Sequence, residues 1–136
     1  MTSGLRVAAL ALLLLAAQPA RAEYLHIQLK VYGLDCELCA RGVSASIGKL
    51  AGIESVNVSI KTGMLDVILT RGNKFKMSDL RKRIRQNGFR AMEARVTAIG
   101  QLSGGKFEVL GANESYDVGK RDAAEGTPIE LTFDVR

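Results

Sequence analysis

Only two cysteines stand in the 136 residues, Cys36 and Cys39. Without a second pair, one chain cannot close a four-cysteine zinc site. Prolines are equally scarce, with Pro19 and Pro128 the whole supply. Long apolar runs are missing too. The longest, residues 7–17 (VAALALLLLAA), has eleven residues, and a membrane-spanning helix needs about 20. Charge of one sign is also lacking in force. There are 19 Lys and Arg against 14 Asp and Glu. Arg6 and Arg21 fall in the first 22 residues, where no acid stands, so the remainder carries +3. That mild excess does not by itself imply a nucleic-acid partner.

The chain begins instead with the layout of a secretory signal. Arg6 precedes the apolar run, and Gln18, Pro19 and Ala20-Arg21-Ala22 follow it. Cleavage is expected between Ala22 and Glu23. Residues 1–22 are therefore excluded from the fold, and the mature protein is expected in the periplasm or another space outside the cytoplasm. Free thiols tend to oxidise there. A C-x-x-C pair kept in such a place either bonds to itself or is protected by a ligand.

Residues 24–32 (YLHIQLKVY) place Leu25, Ile27, Leu29 and Val31 on one phase, which predicts a half-buried strand ended by Gly33. Val43, Ile47 and Leu50 then recur at helical spacing, predicting a helix that starts near Cys39 and stops before Gly52. Val56, Val58 and Ile60 alternate, Lys61-Thr62-Gly63 turns, and Leu65, Val67 and Leu69 alternate again, as in a hairpin. Ser78 reads as the N-cap of a second helix holding Leu80 and Ile84, closed by Gly88 as its left-handed residue. In the last strand, Met92, Ala94, Val96 and Ala98 share a phase. The order β-α-β-β-α-β predicts an α+β, ferredoxin-like fold: one antiparallel sheet with both helices on one face. Past Gly100, Ser103-Gly104-Gly105 reads as a turn across which residues 107–110 pair back, and Ile129, Leu131, Phe133 and Val135 alternate in a final strand. The expected division is a signal at 1–22, a domain at 23–100 and a small C-terminal β appendage of unknown role at 101–136.

On this layout Cys36 lies in the loop after the first strand and Cys39 in the first turn of the first helix. The unpaired N–H groups and dipole of that turn favour a thiolate, as does Arg41. Asp35 and Glu37 oppose it until a cation arrives.

The stretch Gly33-Leu34-Asp35-Cys36-Glu37-Leu38-Cys39 resembles the G-M-T-C-x-x-C loop of heavy-metal-associated domains. Val43, Leu50, Gly52-Ile53 and Val56 match that family's V…L…GV..V pattern, and Gly88-Phe89 its Gly-aromatic pair. The family includes copper chaperones, modules of metal-transporting P-type ATPases and a periplasmic mercury-binding protein. The resemblance implies a protein that is not an enzyme. It implies Cys36 and Cys39 as ligands of one soft ion, passed on by ligand exchange to a metal transporter or another metal-site protein. It also implies Phe89 packed under the loop and Leu34 as an apolar plug in place of the usual Met. Asp35 departs from the family's Thr. Two thiolates alone suit Cu(I) or Hg(II), whereas an added carboxylate suits Zn(II) or Cd(II). Asp35 is therefore a candidate third ligand, with a simple Asx-type turn as the other reading.

A thiol–disulfide exchange module is the rival, because C-x-x-C at a helix start also describes thioredoxin-like sites. Such sites set a proline against the pair, and Pro128 is far from the loop in sequence. His26, the only histidine, reads as a solvated strand residue, and Met64, Met77 and Met92 as packing. Residues 71–90 hold eight Lys and Arg against Asp79 alone. They read as a solvated helix face or as a docking surface for an acidic partner. A nucleic-acid role is not expected, since the third strand (MLDVIL) offers no aromatic for a base to stack on.

Overall fold

The computed structural model describes residues 23–136, so the expected leader lies outside the described residues. The elements run β1 (Glu23–Tyr32), α1 (Glu37–Gly48), β2 (Ile53–Ser59), β3 (Met64–Leu69), α2 (Met77–Gln86), β4 (Arg90–Ser103), β5 (Lys106–Val109), β6 (Glu114–Asp117) and β7 (Ile129–Val135). The first four strands lie in the order β2-β3-β1-β4, with every pairing antiparallel. This is the ferredoxin-like fold.

Period-two burial explains the sheet. Ile27, Leu29 and Val31 of β1, Leu65, Val67 and Leu69 of β3, and Ala94, Val96 and Ala98 of β4 are all buried. They form one core with Val43 and Ile47 of α1 and Leu80 and Ile84 of α2. Each such Leu or Ile contributes about 1.5–3 kcal/mol by leaving water. The opposite face carries polar cross-strand pairs. His26 Nε2 meets Asp66 Oδ1 at 2.6 Å, Arg95 Nε donates to Asp134 Oδ1 at 3.0 Å, and the hydroxyls of Thr97 and Thr132 share a hydrogen bond of 2.9 Å. His26 is thus a partnered strand residue. Among the described residues no helix is long and apolar enough to cross a membrane.

Two bulges alter the expected faces. Between Tyr24 and His26 the β1–β4 register shifts, so Tyr24 enters the core and Leu25 is only half-buried. A second shift, between Leu29 and Val31, adds a residue on β4. It turns Met92 outward to 37 % exposure, off the buried phase of Ala94. Ile60, expected on the buried phase of β2, lies past the strand's end and is exposed.

The expected cap of α2 is also revised. Helix α2 begins at Met77 after Lys76, which makes no side-chain cap, and Ser78 lies inside the first turn. Burial sets this start, because Met77, Leu80 and Ile84 share the core-facing side. The open N–H groups of Met77 and Ser78 donate instead to Glu114 of β6, at 2.8 and 3.0 Å. At its other end the helix closes as expected. Gly88 has φ +86°, Phe89 N donates to the Ile84 carbonyl and Gly88 N to that of Arg85.

Residues beyond Gly100 extend the same framework. Strand β7 pairs along β4 from Ala94 to Gly100, while β5 pairs with its last residues and β6 with β5. Strand β6 falls in a Gly- and charge-rich stretch with no apolar alternation to announce it. Phe107 and Val109 enter the main core, and Phe133 packs on Phe107 and Tyr116 with ring centroids at 5.3 and 5.0 Å.

Candidate metal centre

The βαββαβ order brings the β1–α1 loop, the C-terminal end of α2 and the start of β4 to one end of the sheet. The loop is built from its residues upward. Gly33 adopts φ +88°, which a side chain would strain. A Cβ there would also stand 3.6 Å from Phe89 Cδ1. Leu34 is 3 % exposed and plugs the core beneath the loop, while half-buried Phe89 packs beside it.

Cys36 is the N-cap of α1. Its backbone is extended, at φ −126° and ψ 145°, and its sulfur accepts from Cys39 N at 3.1 Å. Sulfur here takes the place of the Ser or Asp oxygen that commonly satisfies a helix's first N–H groups. Cys39 sits one turn in, and the two sulfurs are joined in a disulfide across a Cα–Cα distance of 5.2 Å. Both cysteines are half-buried. The fold therefore aims both sulfurs at one place, at an exposed end of the molecule and at the positive end of a helix. When reduced by two electrons they offer two thiolates to a single ion, which is the donor set that soft metals prefer.

The charged neighbours are differently arranged than the sequence suggests. Arg41 pairs with Glu37 one helical turn away, at 3.8 Å, with both side chains largely exposed. Asp35 is exposed beside Cys36. Among the described residues no three His, Cys, Asp or Glu side chains gather to hold an ion. The run of basic residues is divided by use. Arg71 pairs with Glu23 at 3.5 Å, Arg81 donates to the Met92 carbonyl and Arg83 to that of Ser46. Arg85 and Arg90, at the cysteine end, have no ion pair or side-chain hydrogen bond among the described residues.

With the geometry in place, comparison with known proteins decides the family. The heavy-metal-associated domain model matches residues 28–90. The copper chaperone CopZ of Bacillus subtilis is 31 % identical over 61 residues, covering 45 % of this chain and 87 % of that protein. The chain belongs to the heavy-metal-associated domain family. Similar solved structures include oxidised MerP from Ralstonia metallidurans (25 % identity, TM-score 0.46, covering 51 % of this chain and 94 % of that one). Another is a copper-binding domain of a P-type ATPase (26 % identity, TM-score 0.46, covering 50 % and 90 %). The matched region spans β1 to the start of β4 and contains both cysteines. It is a heavy-metal-binding domain, and β5–β7 fall outside the matched residues.

A second cluster, at the far end of the heavy-metal-associated domain, was not foreseen. The carboxylate of Glu114 accepts from Tyr24 Oη at 2.5 Å and Tyr116 Oη at 3.3 Å, besides the two N–H groups of α2. Burial raises the pKa of Tyr24, and burial with the Glu114 charge pushes Tyr116 up to about 12. For Glu114, burial works to raise the pKa. The hydrogen bonds from Tyr24 and the α2 N-terminus outweigh it and hold the carboxyl below its usual range. No local motif announces this contact, because apart from Tyr116 the partners of Glu114 stand 36 to 90 residues away.

Proposed function

We propose that this is an exported protein that captures one soft or borderline metal ion between Cys36 and Cys39 and passes it to a metal transporter or another metal-site protein. The observation that carries the reading is the convergence of both sulfurs at the exposed N-terminus of α1. Two thiolates leave an ion's coordination shell incomplete, so an incoming thiolate can add before either cysteine leaves. Transfer then needs no free ion. Asp35 is exposed next to Cys36 and is not gathered with the two sulfurs, so it serves a divalent ion as a third and harder donor only by turning its side chain toward them. The ion is cargo, drawn from Cu(I), Hg(II), Zn(II) and Cd(II). Membership of a family that includes a copper chaperone supports this reading. Export is supported by the leader's layout.

The test is transfer kinetics. Metal on the reduced protein should move to a second C-x-x-C protein at a rate that rises with acceptor concentration. A rate fixed by spontaneous release, whatever the acceptor concentration, contradicts hand-over by ligand exchange.

One observation favours thiol–disulfide exchange as a second reading, namely that the pair is bonded. Against it, Pro128 adjoins Ile129, whose β4 partner is Gly100. That is ten residues along β4 from Arg90, which faces the cysteine end. Turnover on a reduced protein substrate would favour that second reading.

A further inference from the structure

A hollow of about 510 Å³ opens beside the cysteine loop, lined by Tyr32, Gly33, Arg85, Gly88, Phe89 and Arg90. Its chemistry is one-sided. Arg85 and Arg90 are among its lining residues, and no Asp or Glu is. Neither Arg85 nor Arg90 makes an ion pair or side-chain hydrogen bond with any described residue, although Arg71, Arg81, Arg83 and Arg95 all do. Tyr32 stands directly across from Arg90 in the β1–β4 register and is 70 % exposed, forming an aromatic wall. The closing turn at Gly88 occupies the carbonyls of Ile84 and Arg85.

Paired guanidinium forks beside an aromatic face recognise a planar carboxylate. The nearest reactive group is the Cys36–Cys39 disulfide. Gly33 lines the hollow and lies three residues before Cys36, so the chain between them spans at most about 11 Å. A ligand two or three residues long, with a carboxylate at one end and a thiol at the other, bridges that span. Cysteine-derived small thiols have this composition.

We propose that the Arg85–Arg90 hollow binds the carboxylate of a small cysteine-derived thiol and directs its sulfur onto the Cys36–Cys39 disulfide. The thiolate attacks one sulfur, forming a mixed disulfide and expelling the other sulfur as a thiolate. A second molecule of the small thiol attacks the mixed disulfide and leaves as the symmetrical small disulfide. Two electrons and the two thiol protons have then passed to Cys36 and Cys39. The site thereby controls when the clamp opens. This role rests on the metal-capture reading for its purpose but not for its chemistry, since the exchange involves no metal.

The test compares reduction of the oxidised protein by the N-acetylated tripeptide Cys-Gly-Gly, which ends in a carboxylate, and by the C-terminal amide of the same peptide, which is neutral. The ratio of the two rates is taken for each variant, so that the thiols' intrinsic reactivities cancel. At low ionic strength Arg85→Gln/Arg90→Gln should lower this ratio about tenfold, the low end of what a focused charge contributes. Added salt should shrink the difference. The charge-matched control Lys74→Gln/Lys82→Gln, on exposed cations away from the hollow, should keep most of the ratio. In the unmutated protein, succinate should slow the free-acid peptide and leave its amide unaffected. The proposal is overturned if the arginine variant keeps its ratio, if the lysine control loses as much, or if succinate does not compete. Metal binding by chemically reduced protein is measured separately, so failure here is distinct from failure of the capture reading.

Discussion

Replacing Glu114 probes how residues beyond Gly100 are joined to the metal-binding fold. In Glu114→Ala the N–H groups of Met77 and Ser78 lose their acceptor, and so does the hydroxyl of fully buried Tyr24. Loss of a helix cap costs about 1 kcal/mol. A stranded buried hydroxyl costs about 1–3 kcal/mol. The low end applies here, because Tyr116 Oη lies 2.5 Å from Tyr24 Oη and remains as a partner. The sum is about 2–3 kcal/mol, or roughly 8–12 °C in Tm for a domain of this size. Chemical unfolding of wild type, Glu114→Ala and Glu114→Gln measures it. Glu114→Gln keeps an acceptor and should lose about half as much. The sign with pH follows from the depressed pKa of Glu114. Its contribution is full above the unfolded carboxyl pKa of about 4.3 and fades as pH falls through the lower folded value. The gap between wild type and Glu114→Gln should therefore narrow on acidification. A loss under about 0.5 kcal/mol in Glu114→Ala, or a gap that widens in acid, would refute the reasoning.

Three further outcomes are expected. In Gly100→Ala the new methyl group would meet the Glu108 carbonyl and stand 2.8 Å from Phe107 Cζ. Overpacking of this kind costs about 1–3 kcal/mol, read as a shift in denaturation midpoint. Ile84→Ala, at a fully buried site between α2 and the sheet, should cost about 2–5 kcal/mol in the same assay. Asp35→Thr should weaken Zn(II) and Cd(II) binding more than Cu(I) binding in competition titrations, and equal effects on all three would return Asp35 to the role of a turn residue.

Much of this was legible because burial writes itself into sequence with the period of each element. The alternations at Ile27–Leu29–Val31 and Leu65–Val67–Leu69, with the helical spacing of Val43 and Ile47, carry the β-α-β-β-α-β order. The C-x-x-C placed between the first two elements carries the candidate centre. What failed shares one cause, dependence on distant chain. A bulge is set by pairing with another strand, so Leu25 and Met92 kept their phase in sequence and lost it in the sheet. Ser78 is the better local cap. The start of α2 is nevertheless set by burying Met77, and its cap arrives from Glu114, far along the chain. Strand β6 has no apolar alternation of its own and takes its register from Phe107 opposite Tyr116. The same holds for the basic run. Sequence counts eight cations, and only the fold separates Arg81 and Arg83, tied to backbone carbonyls, from Arg85 and Arg90 beside the cysteine loop.

The central claim is that Cys36 and Cys39 together hold one ion, and titration of the reduced protein tests it most directly. Metal is added under reducing, anaerobic conditions while the thiolate absorption band and the count of alkylatable thiols are followed. The account predicts about one ion bound per chain, with both thiols protected at that point and the protection lost in Cys36→Ser and in Cys39→Ser. No binding by the reduced protein, or binding that leaves both thiols free to react, would contradict it.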